Sequence, residues 1–244
     1  MEFYLTENII LKDNQTYYED KKKLKKINKN NWHHYLHQYG WIKIPLQWIK
    51  ILNKLSKNNL KNSPFAVLDC SSDGDCLFHC ISNALNDHNR KNENYELLNS
   101  SNIRSMIAES ITDDNFEEMI SYYKIMKDVN DFDEEWDPYE IKDLNTFRNI
   151  IKKSGHSYWG DYILLNAVTK ILKINIFILN SNEETNDYST YNTLIEYNPQ
   201  YDSIFLLYEN NCHFKLIGYF DGNIIVSYFT ENIPVEFLKL FKIR

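Results

Sequence analysis

Two short stretches carry residue types that could do covalent chemistry. The first is Asp73-Gly74-Asp75-Cys76-Leu77-Phe78, where a turn delivers a cysteine to the start of an apolar-faced segment. If that segment is a helix, Cys76 sits in its first turn. There the unpaired backbone N–H groups and the positive end of the helix dipole favour an anion. Both act on the sulfur, because the thiolate is the reactive form of cysteine, and the same N–H groups can receive the oxyanion of a tetrahedral intermediate. Gly74 lets the chain turn tightly, and Asp75 is suited to be the helix N-cap. The second stretch is Cys212-His213-Phe214-Lys215-Leu216-Ile217. Its apolar alternation predicts a strand with His213 on the opposite face from Phe214 and Leu216. A strand is a rigid mount for a general base. A cysteine paired with such a histidine is the minimal apparatus of thiol acylation.

The elements around these stretches predict a mixed core over residues 63–220. FAVLDC is a short buried strand ending in the turn-forming SSDGD. Leu77, Cys80, Ile81, Ala84 and Leu85 share one face, so a buried helix is expected from Cys76. Further helices are expected at 102–111 and 115–126, followed by an acidic surface loop, DVNDFDEEWDP. From Trp159, Leu164, Leu165, Val168, Ile171 and Leu172 mark another core helix, which runs into the β-branched strand INIFIL. Strands are expected at 203–208 and 212–218, then a strand and a short helix within 221–244. Residues 1–62 are read as a helical extension, basic and aromatic, with Leu46, Ile49, Leu52 and Leu55 at helical spacing. Its lysine run at 21–26 is read as solvated surface.

Taken together, these motifs resemble a known family. DGDCLFHCI is similar to the nucleophile motif of the ovarian-tumour (OTU) family of cysteine deubiquitinases, D-G-(D/N)-C-L-F-x-x-I. YWGDYILLNAVTKILKINIFIL resembles that family's central helix-strand unit, and DSIFLLYENNCHFKLI its closing strands. The three fall in the family's order over about residues 64 to 220. The resemblance implies an α+β, papain-like fold with a small central sheet flanked by helices. It implies Cys76 as nucleophile on the carbonyl of a ubiquitin C-terminal glycine, and His213 as general base. Asp73 stands at the family's acidic position three residues before the nucleophile and is expected to shape the oxyanion loop. The implied partners are ubiquitin or polyubiquitin, with ubiquitin-like modifiers as further candidates, and no cofactor or metal is implied.

The chain departs from the family pattern at Lys215. Many members carry Asp or Asn two residues after the histidine to orient the imidazole, and a lysine cannot accept its N–H. The orienting group must then come from elsewhere, with Asp69, Asn210 and Asn211 as candidates, or be water or backbone. An acid at 215 is expected to be neutral or mildly activating. Two other readings stay open: a noncatalytic ubiquitin-binding protein, and a papain-like protease acting on another protein substrate. The C-G-(S/A)-C-(W/Y) signature of papain itself is absent.

Composition narrows the remaining classes. Net charge is −7, which argues against a duplex nucleic-acid binder. No apolar run reaches the length of a membrane span, and the first residues lack the basic start of a secretory signal. A cytoplasmic protein with reduced thiols is expected, in host cytoplasm or a virion for a pathogen-derived chain. The abundance of Asn, Lys and Ile fits an AT-rich genome such as that of a large DNA virus or an intracellular pathogen. Of the other cysteines, Cys70, Cys80 and Cys212 are expected to be packing residues. A zinc site built from them with Cys76 and His213 lacks the paired C-x2-C knuckle. His33, His34 and His37 have no accompanying ligand set.

Overall fold

The structure is a computed structural model that describes residues 2–57, 63–71, 73–90, 95–132, 134–191 and 197–243. In chain order the elements are β1 (Glu2–Tyr4), β2 (Ile9–Lys12), β3 (Gln15–Asp20), β4 (Lys23–Lys26), β5 (Trp41–Lys43), α1 (Leu46–Ser56), β6 (Phe65–Asp69), α2 (Cys76–Asn89), α3 (Ser100–Ser110), α4 (Asp113–Asp128), α5 (Leu144–Lys152), α6 (Tyr162–Leu172), β7 (Ile174–Ser181), β8 (Thr190–Tyr191), β9 (Asp202–Glu209), β10 (His213–Phe220), β11 (Ile225–Val226) and α7 (Val235–Leu240). The fold is α+β, with a central sheet of order β5-β6-β10-β9-β7-β8 and β11 also paired to β10. Only β7 and β9 run parallel; the remaining pairs of this sheet are antiparallel.

Continuous apolar runs make the inner strands because both faces of the sheet are covered. In β9, Ile204 and Leu206 enter the core shared with α2, α3, α4, α5 and α6. The alternate residues Phe205 and Leu207 enter a second core with Trp48 and Leu52 of α1 and Phe237 of α7. The period-2 alternation of side chains thus feeds two helical layers from one strand.

Residues 1–62 differ from the expected helical extension. They hold a four-stranded antiparallel meander, β1-β2-β3-β4, and two short 3-10 turns at Trp32–His34 and Leu36–Tyr39. Among the described residues there, only α1 is α-helical, and β5 pairs with β6, so this segment supplies a strand of the central sheet. The meander is closed by two-residue turns with positive φ at Asp13-Asn14 and at Lys21-Lys22. These turns carry no Gly or Pro, which is why a reading based on those residues passed over the hairpins. The lysine run falls on this second turn and on β4, a fully exposed edge strand. Ile9, Ile27, Trp32 and Leu36 join Ala66, Phe220 and Ile225 in a third core, so the meander is packed onto β6, β10 and β11. Helix α5 is also unanticipated: Asp143 caps it, and Phe147, Ile150 and Ile151 bury its inner face.

Candidate active site

Cys76 is the first residue of α2, and the buried row Leu77, Phe78, Cys80, Ile81 and Ala84 anchors that helix against β10 and α3. The preceding turn is held by an Asx-type contact, in which the Asp75 N–H donates to Asp73 Oδ1 at 3.0 Å. Gly74 has φ +90°, and a Cβ there would lie 2.4 Å from the Gly155 carbonyl carbon, so no other residue fits without moving the 153–160 segment. Asp73 also faces His79 Nε2 at 3.5 Å. Partial burial works against its ionisation. The Asp75 N–H, the Ser71 hydroxyl and His79 outweigh it and hold the carboxyl below its usual range. Asp73 therefore sits in the turn and makes no bond to His213.

The histidine is placed by strand register. Asp69 ends β6 and lies directly opposite Lys215 of β10, while His213 lies opposite Glu209 of β9. Both acids reach diagonally across their strand pairs, a range open to long side chains. Asp69 Oδ1 meets His213 Nε2 at 2.9 Å, and Glu209 Oε2 accepts from Lys215 Nζ at 2.7 Å. A carboxylate can only accept, so Nε2 carries the hydrogen and Nδ1 is left as the acceptor. Cys76 lines the same cleft as this ring. The nearby Cys76 sulfur, and the bond to Asp69, hold the imidazole pKa above its ordinary value against the opposing effect of burial.

Of the three candidate orienters, then, Asp69 contacts the ring. Asn210 and Asn211 are turn residues with φ of 51° and 57°. The Asn210 N–H donates to Ser181 O, and the Asn211 carbonyl accepts from the Tyr208 hydroxyl. Lys215 is buried and neutralised by Glu209. Cys212 is not the packing residue expected: it is exposed in the β9–β10 turn and lines the cleft. Cys70 and Cys80 are buried in the core, as expected.

The cleft beside Cys76 has a volume of about 180 Å³ and is lined by Gly74, His156, Trp159, Gly160, Tyr208 and His213 among others. Its wall at 155–160 is fixed from behind. The Glu134 carboxylate accepts the Trp159 N–H through both oxygens at 3.1 Å, and burial raises its pKa to about 7. Sequence reading gave Glu134 no role within its acidic loop. It likewise missed Arg104, whose only signal was a cation on the apolar face of the 102–111 helix. Asp75 stands at the N-cap position of α2 but makes no capping bond; its carboxylate is turned to Arg104 instead. Asp73, Asp75 and His79 place ligand atoms within 4.8 Å of one another. With the Arg104 guanidinium already on the Asp75 carboxylate, this trio is poorly suited to a cation.

The family model described as OTU-like cysteine protease matches residues 71–214, more than half of the chain. No curated protein matches. Among solved structures, the OTU domain of OTUD1 covers 70% of this chain and 91% of its own, at 16% identity and a TM-score of 0.42. The OTU from Hazara virus bound to ubiquitin covers 70% and 89%, at 11% identity and 0.40. An OTU deubiquitinase from Wolbachia pipientis wMel bound to ubiquitin covers 66% and 99%, at 11% identity and 0.42.

Proposed function

The chain belongs to the family of OTU-like cysteine proteases, and on that premise we propose that it is a deubiquitinase with Cys76 as nucleophile, His213 as general base and Asp69 as orienter. The observation that carries the reading is the Asp69–His213 hydrogen bond, with His213 and Cys76 lining one glycine-bordered cleft. His213 Nδ1 takes the thiol proton as sulfur attacks the carbonyl of the ubiquitin C-terminal glycine. The oxyanion is received by N–H groups of the first turn of α2. The imidazolium then protonates the departing lysine amine, leaving a thioester that water hydrolyses. A slot bordered by Gly74 and Gly160 suits a chain end without side chains, such as the Gly-Gly terminus of ubiquitin. Asp73 has a supporting role in this scheme, setting the turn before the nucleophile. The protein would act in a cytoplasm, where ubiquitin conjugates and reduced thiols occur together.

The test is turnover of a ubiquitin C-terminal fluorogenic substrate, with a ubiquitin probe carrying a thiol-reactive C-terminus. Wild-type protein is expected to turn over the substrate and to be labelled once, at Cys76. Cys76→Ala is expected to do neither while keeping its melting temperature within a few degrees. Turnover retained by Cys76→Ala would overturn the nucleophile assignment. Labelling by probes made from ubiquitin-like modifiers alone would move the substrate class away from ubiquitin.

A further inference from the structure

Four helices here begin with a polar cap that does what caps ordinarily do. The side chains of Asn99, Thr112, Asp143 and Asp161 each accept a backbone N–H from the first turn of α3, α4, α5 and α6. All four residues are in extended backbone conformation. Helix α2 has an equally good capping residue, Asp75, and no capping bond; its φ and ψ are −103° and 10°. The carboxylate is held elsewhere. Arg104 Nε donates to Oδ1 at 2.9 Å, the Gly155 N–H to Oδ1 at 2.9 Å, and the Ser100 hydroxyl to Oδ2 at 3.1 Å.

Arg104 is itself fixed on every side. It is fully buried, lies 3.8 Å from the Phe78 ring centroid, and donates to Ile151 O at 2.8 Å and Tyr158 O at 2.9 Å. A buried ion pair of this kind is a poor device for stability, because desolvation offsets most of the attraction. Its place in the fold suggests another purpose: it stands immediately before the nucleophile and ties α3, the end of α5 and the cleft wall to one carboxylate.

We propose that Arg104 is a positioning residue for Cys76: it draws the Asp75 carboxylate off the start of α2 and neutralises it, leaving the first-turn N–H groups for the anions of the reaction. This deepens the proteolytic reading and rests on it. Without the guanidinium, the carboxylate is free to swing onto those N–H groups, as its four counterparts do. It would then occupy the oxyanion site and set a negative charge beside the thiolate. Arg104 touches neither substrate nor sulfur; it acts through Asp75.

The test reads the thiolate directly. The rate of iodoacetamide alkylation is followed against pH on the Cys76-containing peptide by mass spectrometry, which needs no ubiquitin and so stands apart from the substrate assignment. The other ionisable groups near Cys76, namely His213, Asp69, Asp73, His156, Tyr208, Cys80 and Cys212, are unchanged across the variants. Arg104→Met is expected to move the alkylation midpoint up by about one pH unit. The double variant Arg104→Met/Asp75→Asn is expected to bring it back, which a purely structural role for Arg104 would not do. Asp75→Asn alone leaves an uncompensated cation and is expected to move the midpoint down. A folded Arg104→Met with an unmoved midpoint, or a double variant no different from Arg104→Met, overturns the proposal. If Arg104→Met does not fold by circular dichroism, Asp75→Asn decides: a downward shift supports the proposal, and an unmoved or raised midpoint overturns it.

Discussion

Two acid–base pairs flank Cys76, and they are built in opposite ways. Asp69–His213 lies at the ends of two strands, with the Asp69 side chain 56% exposed and His213 16%. Asp75–Arg104 is sealed, at 5% and 0%. The first contains an imidazole, which can pass a proton; the second contains a guanidinium, which serves as a fixed charge. The contrast separates two requirements of thiol chemistry. A proton carrier must be reachable by a leaving group, whereas a fixed charge is most effective where water cannot screen it.

Breaking the sealed pair should cost most in stability. Arg104→Met leaves a buried carboxylate unpaired and is expected to lower unfolding free energy by about 3–5 kcal/mol, read by urea denaturation. Breaking the open pair should leave the fold nearly intact and cost activity instead. Asp69→Ala is expected to reduce kcat/KM about a thousand-fold, some 4 kcal/mol of transition-state stabilisation, with melting temperature little changed. The sign of its pH effect is also fixed. The His213 pKa is raised, first by the nearby Cys76 sulfur and then by Asp69 against burial. Losing Asp69 lowers it, so the limb of the pH–rate profile governed by His213 moves to lower pH. The same linkage gives a stability contribution that is complete below the ordinary histidine value of about 6.5 and is lost as pH rises through the raised one. In Asp69→Ala the contribution should be smaller and its loss complete at lower pH.

Lys215→Asp sharpens the comparison at smaller scale. Sequence alone allowed this change to be neutral or mildly activating. The structure reverses that, because the new carboxylate would lie opposite Asp69 and lose the Glu209 partnership. A loss of about 2 kcal/mol in unfolding free energy is expected, with no gain in turnover. The smallest effect is reserved for Cys80→Ala, on the buried face of α2. It should cost about 1 kcal/mol by packing and retain most activity, measured against the same fluorogenic substrate.

How much of this was legible in advance depended on the range of the interactions. The helix start at Cys76, the strand carrying His213 and the apolar face of α6 were readable because periodicity and turn chemistry are local properties. The N-terminal meander was not, since its two tight turns are Asp-Asn and Lys-Lys and its exposed strand β4 shows no apolar alternation. Helix α5 had a readable cap and apolar spacing that lay hidden beside the acidic loop. Cys212, expected in a strand, falls one residue before β10 begins, and that single step puts it in the cleft.

The sequence by itself determined the nucleophile-bearing turn, the histidine strand and the family, because each is written in contiguous residues. For the orienter of His213 it left open Asp69, Asn210, Asn211, a water or the backbone, and could go no further. Only the tertiary structure shows which of these side chains meets the ring, through the β6–β10 register that sets Asp69 opposite Lys215 and diagonal to His213. Only the tertiary structure, likewise, turned Asp75 from a cap into a partner of Arg104. Strand register and the burial of a charge depend on residues far apart in the chain meeting at one place, and local composition carries no record of that meeting.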